Sequence, residues 1–338
     1  MRASRLIVTC ACFLAWMACA TAQTTPKQAL LVLSKTDHTL AIVNPTTLKV
    51  VARVPVGPDP HEVIASADGR MAYVSNYGFG KYHTLARIDL IAHKQLSSVD
   101  LGPLTGPHGL EFADGEVWFT AEGAKVIGRY NPATEKVDWI MGTGQNRTHM
   151  LHVFAGQQRI VTTNVASGTV TILDHTTVQQ GRMPLPPGGA WNETVVKVGN
   201  GSAGFDVTPD GNEMWVANAE DGTISVIDLT AKKVVATLDA NVPSANRLKF
   251  TLDGKLALVS TLRGPDLVIL DAATRKVVKR LPIGHGAAGV LMDPDGTRAY
   301  VSCGPDNNVA VIDLKTLTVV GHVDAGGDPD GLAWAAQQ

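Results

Sequence analysis

Short alternating runs of hydrophobic and polar residues follow one another along the chain from about residue 29 to its end. Seven of these runs share one form, an alternating segment that ends in Asn or Asp and leads into a turn: 40–47, 85–92, 127–134, 170–177, 224–231, 267–274 and 309–316. Alternation with a period of two predicts β-strands. The closing Asn or Asp recurs every 42 to 54 residues, so the sequence predicts an internal repeat.

Each repeat is predicted to contain four short strands, as in 204–208, 213–218, 224–228 and 233–238. An Asp-Gly pair separates the first two strands in five copies, at 68–69, 114–115, 210–211, 253–254 and 295–296. Glycine supplies the positive φ that such tight hairpin turns require. Seven four-stranded antiparallel units of this length predict an all-β fold, a seven-bladed β-propeller.

The two ends of the chain are predicted to share one blade. Residues 29–34 correspond to a second strand with no inner strand before them, and residues 330–335 correspond to an inner strand with nothing after them. Strands from both termini would therefore close the ring and cover its open edges. We expect residues 23–338 to form a single propeller domain.

The first 22 residues have the pattern of a secretory signal peptide. Arg2 and Arg5 precede the apolar run 6–17, which is too short to span a bilayer, and 20–22 (Ala-Thr-Ala) offers a cleavage site. We expect a periplasmic or secreted protein with no membrane span. Cys303 is the one cysteine outside this segment, so it has no partner for an internal disulfide and is expected to be a buried space-filler.

Charge argues against some partners. The chain has 29 Lys and Arg against 31 Asp and Glu, without the basic stripe that nucleic-acid binding requires. We therefore expect no nucleic-acid partner. The expected partner is a small polar molecule or a protein, and the chain is expected to be a monomer.

Aligning the predicted inner strands brings polar side chains to one mouth of the central channel. The first residues of these strands, in blades one to seven, are Asp330, His61, His108, His149, Ala203, Asn246 and Ala288. The second strands end at the same mouth and contribute further polar groups. The predicted ligand-binding residues are His61, Asn76, Asn164, Asn218, Asn246, Arg263 and Asp330.

Two longer segments are expected at this mouth as well. One is the loop 77–83 of blade 2, and the other is the extra length around 181–196 in blade 4. Long loops on a rigid scaffold commonly carry function. Their predicted position therefore favours this mouth as the functional face.

Three interpretations of the histidines stay open at the level of sequence. His61, His108, His149 and Asp330 could bind one divalent metal ion, which leaves a coordination position free for a substrate. Without a metal, His108 and His149 could be catalytic as general acid or base near neutral pH. The histidines could also be structural and simply hydrogen-bond a neighbouring carbonyl.

The segments RMAYVSN (70–76), EMWVANA (213–219) and RAYVSCG (298–304), with the repeated VIDL-type strands, resemble the YVTN family of seven-bladed propellers. The resemblance covers nearly all of the chain after residue 22 and implies the fold. It does not imply one activity, because such propellers include binding modules, lactonases and redox-enzyme domains.

Two single blades carry further resemblances. Residues 106–134 are similar to a blade of the streptogramin B lyases, in which Glu122 corresponds to a glutamate of the pattern, although a solvated loop carboxylate is the interpretation we favour from sequence. Residues 57–78 look like a Pro-His-bearing blade of the seven-bladed lactonases. The arginine-bearing partner blade of those enzymes has no clear match, since Arg247 lies one place from the expected position.

Two hypotheses about function follow. The first is an exported propeller that binds a small polar ligand or a protein partner at the histidine-bearing mouth without turnover. The alternative is a metal-assisted or histidine-based lactonase or lyase that acts on a lactone or cyclic ester. A haem role has less support, because no Cys-x-x-Cys-His motif occurs in the sequence.

Overall fold

The computed structural model describes residues 24–179, 184–186 and 188–338. These residues form seven antiparallel sheets, which are the seven blades of an all-β propeller, as the repeat predicts. The predicted signal peptide lies outside the described residues and stays a prediction.

The first three blades in the ring are built as follows. Blade 1 contains β1 (Gln28–Ser34), β2 (Thr39–Asn44) and β3 (Lys49–Pro55), and its inner strand comes from the other end of the chain. Blade 2 contains β4 (Pro60–Ala65), β5 (Met71–Asn76) and β6 (Thr84–Asp89), with two short outer strands, β7 (Lys94–Gln95) and β8 (Val99–Asp100). Blade 3 contains β9 (Pro107–Ala113), β10 (Glu116–Ala121), β11 (Val126–Asn131) and β12 (Lys136–Gly142).

The other four blades have four strands each. Blade 4 contains β13 (Thr148–Val153), β14 (Arg159–Asn164), β15 (Thr169–Thr176) and β16 (Ala190–Lys197). Blade 5 contains β17 (Ser202–Val207), β18 (Glu213–Asn218), β19 (Thr223–Asp228) and β20 (Lys233–Leu238). Blade 6 contains β21 (Ala245–Phe250), β22 (Leu256–Thr261), β23 (Asp266–Asp271) and β24 (Lys276–Pro282), and blade 7 contains β25 (Ala287–Met292), β26 (Arg298–Cys303), β27 (Asn308–Asp313) and β28 (Thr318–Val323).

The last strand, β29 (Pro329–Ala336), completes blade 1. It pairs antiparallel with β1, from Gln28 opposite Ala336 to Ser34 opposite Pro329. The sheet order in this blade is β29-β1-β2-β3. The predicted closure of the ring by both termini is therefore confirmed.

The hydrophobic core is divided into seven apolar clusters, one between each pair of neighbouring blades. Second and third strands are covered on both faces, which explains their near-continuous apolar runs, such as ALLVLS in β1. Outer strands are covered on one face only, and β20 alternates between exposed and half-buried residues. Because the apolar packing lies between blades, the channel at the centre of the ring can hold polar groups.

The chain reverses direction between the inner and second strands at the predicted tight turns. Gly69, Gly115, Gly211, Gly254 and Gly296 all have positive φ there. In blade 4 the corresponding turn is a short 3₁₀ helix, Ala155–Gln157, with positive φ at Gly156. A second 3₁₀ helix, Gly78–Gly80, lies in the long loop of blade 2. Within the described residues, no helix is long and apolar enough to cross a membrane.

Candidate functional site

Each inner strand begins with a two-residue bulge. In blade 2, Pro60 pairs with Asn76 and Val63 pairs with Val74, so His61 and the residue after it lie opposite a single residue. The same shift occurs at 108–109, 149–150, 203–204, 246–247, 288–289 and 330–331. A bulge redirects side chains at the end of a strand. The first residue of each bulge is the residue that the sequence alignment matched across the seven inner strands.

Hydroxyl side chains opposite the bulges hold neighbouring blades together. Ser75 Oγ accepts a hydrogen bond from the backbone of Glu62 (3.1 Å) and donates one to the carbonyl of His108 in the next blade (2.9 Å). Thr120 Oγ1 likewise accepts from Gly109 (2.9 Å) and donates to the carbonyl of His149 (2.5 Å). The backbones that carry the histidines are therefore fixed by blade-to-blade hydrogen bonds.

Glycine occupies the second bulge position where the next blade approaches closely. A Cβ atom on Gly109 would lie 2.5 Å from the carbonyl oxygen of His149, and one on Gly331 would lie 2.5 Å from that of His61. No side chain fits at such distances. Glycine therefore allows consecutive histidine-bearing strands to approach each other.

His108 is the centre of the site. It is 2% exposed, and its ring centroid lies 3.9 Å from that of His149, 4.8 Å from that of His61 and 5.0 Å from that of Tyr77. Its Nδ1 atom has no hydrogen-bond partner among the described residues. Burial, together with the charge that His149 and His61 can carry, lowers the pKa of His108 well below its usual value. The imidazole is therefore neutral at physiological pH.

Glu122 lies next to the histidines, directly after β10. His149 Nδ1 donates to its Oε1 (2.5 Å), Tyr77 donates its hydroxyl proton to Oε2, and Arg147 Nε donates to Oε2 over 3.2 Å. Burial favours the protonated carboxyl, but these donors and the Arg147 charge lower the pKa of Glu122 to about 2. The expectation of a solvated loop carboxylate was wrong, because Glu122 is 6% exposed and covered by residues of neighbouring blades.

His149 is oriented by this carboxylate. Burial lowers its pKa, and the opposing effect of Glu122 does not compensate. With the Nδ1 proton donated to Glu122, the neutral ring has its lone pair on Nε2. The pair thus presents a basic nitrogen that an ionised carboxylate holds in one tautomer.

His61 and Asp330 belong to a second group, which is organised by Lys35. Lys35 Nζ lies 2.8 Å from Asp330 Oδ2 and donates to His61 Nε2 over 3.3 Å. Burial raises the pKa of Asp330, but Lys35, His61 and Arg247 more than offset this and hold it below its usual value. Lys35 was not among the predicted site residues, although its position directly after β1 at the mouth was a usable signal.

Arg247 lies in the channel, although sequence alignment placed it one residue from the expected position. It is the second bulge residue of blade 6 and reaches across to Glu62 of blade 2. It also donates to Asn246 Oδ1 over 3.2 Å. The bulge accounts for the offset, because it places two residues, Asn246 and Arg247, opposite the single residue Ser260. A cavity of about 360 Å³ continues from this pair along the inner strands.

The side chains of the remaining predicted ligand-binding residues make no hydrogen bond to the three histidines among the described residues. The side-chain amides of Asn76, Asn164 and Asn218 are buried and donate to backbone or hydroxyl oxygens of their own loops and strands. Arg263 is exposed and lines a separate groove of about 250 Å³ beside Pro243 and Asp266. A ligand-binding role for these four residues stays a prediction.

One of the two long loops lies at the mouth and the other does not. Tyr77 and Phe79 of the blade 2 loop have ring centroids 4.7 and 6.4 Å from that of His61. In blade 4, however, Thr176 pairs with Ala190, so the extra length joins β15 to β16 at the opposite end of the blade. The predicted position of this insertion was wrong, because a connection between third and outer strands lies away from the mouth.

The comparisons with known proteins agree with this architecture. Residues 189–298 match the family model described as YNCE-like beta-propeller. The chain is 24% identical over 147 residues to the uncharacterized protein YncE of Salmonella typhimurium, and this alignment covers 42% of the present chain and 41% of that one. It is 26% identical over 150 residues to Antigen Lp49 of Leptospira interrogans. That alignment covers 38% of the present chain and 33% of Antigen Lp49.

These alignments leave the activity open. The chain spans less than half the length of both relatives. A solved structure of a proposed 6-phosphogluconolactonase from Bacteroides uniformis has a TM-score of 0.72 and 14% identity, and it covers 91% of this chain and 99% of that one. At this identity the likeness shows the fold alone.

Proposed function

We propose that this YncE-like propeller is exported and binds a small polar molecule at the mouth that carries His61, His108 and His149. One observation carries the proposal: His108 is buried, yet its Nδ1 atom has no partner among the described residues. A buried polar group without a partner costs about 1–3 kcal/mol. A ligand that contacts this nitrogen would remove the cost.

The charges around the histidines support a small polar ligand. Three cations are each paired with a carboxylate, in the pairs Lys35–Asp330, Arg147–Glu122 and Arg247–Glu62. Their formal charges cancel, so the site does not select strongly for net charge. Each pair nevertheless offers donors and acceptors to a hydroxylated or carboxylated molecule.

The depth of the histidines and the exposed aromatic ring at the rim of the mouth favour a small molecule over a protein as the ligand. The His108 and His149 side chains are buried, so a flat partner would not reach their nitrogens. Phe79 is 83% exposed at the rim and could cover an apolar part of the ligand.

Export rests on the pattern of residues 1–22 alone, and fractionation of cells that express the full chain would test it.

A second candidate function is supported by the hydrogen bond between Glu122 and His149. An ionised carboxylate that fixes a neutral imidazole is an arrangement used for general-base catalysis. His149 would take a proton from water or from a carbon acid, and His108 would assist at the same ligand. The reaction would be the hydrolysis of a lactone or ester, or the elimination of a carbon–oxygen bond.

A thermal-shift screen tests the proposal. The panel consists of small hydroxy acids, dicarboxylates, sugar acids and the corresponding lactones, with product formation from each lactone followed in parallel. At least one compound is expected to raise the melting temperature of the wild type but not of His108→Ala. The control is His285→Ala, because His285 is an exposed histidine paired with Asp306 (3.2 Å) in another loop.

Each outcome separates the alternatives. A compound that stabilises wild type and His108→Ala equally would contradict binding at this mouth. Stabilisation without product formation supports the binding protein. Turnover that is lost in both Glu122→Gln and His149→Gln supports the enzyme instead.

A further inference from the structure

We propose that His108, His149 and Glu122 bind one divalent transition-metal ion of the class of Zn²⁺. This inference deepens the proposed function, since the ion would form part of what the mouth binds. Among the described residues, these three side chains are buried and offer donor atoms that all lie within 4.8 Å of one another. His108 and Glu122 belong to blade 3 and His149 belongs to blade 4. Thr120 Oγ1 joins the backbones of these two blades.

The donor set suits such an ion. Two imidazoles and one carboxylate form a common ligand set of catalytic zinc, and they leave positions for water or substrate. Donors around a tetrahedral ion lie about 3.3 Å apart when each bond is about 2.0–2.1 Å. The largest separation here, 4.8 Å, would thus close by about 1.5 Å on binding.

The unpartnered nitrogen of His108 is the second observation that points to a ligand. His61 also has an Nδ1 atom without a partner, but its Nε2 atom accepts from Lys35, and His149 donates to Glu122. The His108 ring makes no hydrogen bond with the described residues. Its Nδ1 atom has no partner among the residues that the structure describes. A metal bond would satisfy an imidazole that the protein itself leaves unsatisfied.

The ligand set differs from the quartet that the sequence suggested, which contained His61 and Asp330 in place of Glu122. Lys35 donates to His61 Nε2 (3.3 Å) and lies 2.8 Å from Asp330. A cation at those two residues would have to displace an ammonium group. Like charges at such distances repel strongly in a buried site.

Glu122 can offer its Oε1 atom to the ion, which would then replace the proton that His149 Nδ1 donates to this oxygen. Tyr77 and Arg147 both contact its Oε2 atom, whereas Oε1 faces His149. The Arg147 side chain is 47% exposed and can therefore remain solvated. The carboxylate can thus hold both arginine and metal on different oxygens.

The test is a Zn²⁺ titration of protein stripped with a chelator, in competition with a chromophoric indicator. The wild type is expected to bind one ion per chain. His108→Ala and Glu122→Gln are each expected to weaken binding by more than the about 10–100-fold that loss of a hydrogen-bond partner of a metal ligand costs. His61→Ala, Asp330→Asn and the surface control His285→Ala are expected to stay within a few fold of the wild type.

The absorption spectrum of the Co²⁺-loaded protein gives a second readout, since it reports the ligand set directly. It should change in Glu122→Gln and not in Asp330→Asn. Circular dichroism checks the fold of each variant, and Glu122→Gln preserves shape if His108→Ala does not fold. Loss of binding in Asp330→Asn with full binding in Glu122→Gln would overturn the proposal.

Substoichiometric binding by the wild type would also overturn it. That failure is distinct from failure of the proposed function. If Zn²⁺ does not bind but an organic compound still stabilises the wild type and not His108→Ala, the metal proposal fails alone. If neither binds, both fail.

Discussion

Nδ1 of His149 donates a hydrogen bond of 2.5 Å to Oε1 of Glu122, and both side chains are buried at the mouth of the channel. The ring of His108 packs against the same imidazole but has an Nδ1 atom without a partner among the described residues. The two neighbouring histidines therefore differ in their hydrogen bonding. His149 is held by the protein, whereas His108 is available to a ligand.

Replacing His149 should destabilise the fold. His149→Leu removes one donor from the buried Glu122 carboxylate, and a hydrogen bond to a charged group is worth about 1.5–3 kcal/mol. We expect the free energy of unfolding, measured with urea at neutral pH, to fall by about 2 kcal/mol. Adding Glu122→Gln should recover part of this loss, because the two residues are coupled. An unchanged free energy would contradict the role of this hydrogen bond.

Replacing a bulge glycine should lower the free energy of unfolding where the next blade lies close to it. In Gly331→Ala, the new Cβ would lie 2.5 Å from the carbonyl oxygen of His61, so the blades must separate slightly. We expect a loss of about 1–3 kcal/mol in the free energy of unfolding. Gly142→Ala is the matched control, because no atom lies within 4 Å of its added Cβ. Equal stability of the two variants would show that the close approach is not needed.

Truncation after Gly327 should prevent stable folding. It removes β29, which supplies the inner strand of blade 1 and contributes Ala333 and Ala335 to the cluster between blades 1 and 2. An unpaired strand edge and an open ring would remain. We expect aggregated or protease-sensitive protein. A soluble truncated chain with the melting temperature of the full chain would contradict closure by β29.

The thiol of Cys303 should be unreactive in the folded protein. Burial, helped by the Asp306 carboxylate, raises its pKa from 9.0 to about 11. A raised pKa means less thiolate at every pH below 11, so alkylation at pH 8 should be slow and should accelerate only in strongly alkaline solution. The chain for this test carries Ser at positions 10, 12 and 19. Alkylation at pH 8 as rapid as in denaturant would contradict the expectation.

The repeat carried most of the information about the fold. Seven alternating segments, the Asp-Gly turns and the incomplete units at both ends predicted the blades and their closure. The same alignment made His61, His108 and His149 equivalent, and each is the first residue of a bulge. These features are local and repeated, so they can be recognised from the chain alone.

The details of the site depend on contacts between blades, which a single sequence does not display. Glu122 is buried because Tyr77 and Arg147, 45 and 25 residues away, cover it. Arg247 reaches the channel because of the bulge. A signal for the bulge was present, since Gly109, Gly204, Gly289 and Gly331 follow the first bulge residue in four blades.

The central claim is that His108 serves a ligand rather than the fold, and His108→Leu tests it most directly. Replacing a buried, unsatisfied polar group by an apolar one of similar size is close to neutral or stabilising. The urea-unfolding free energy of His108→Leu, measured without added ligand or metal, should therefore equal or exceed that of the wild type. A loss of about 2 kcal/mol, as expected for His149→Leu, would show that His108 is a structural residue and would contradict the account.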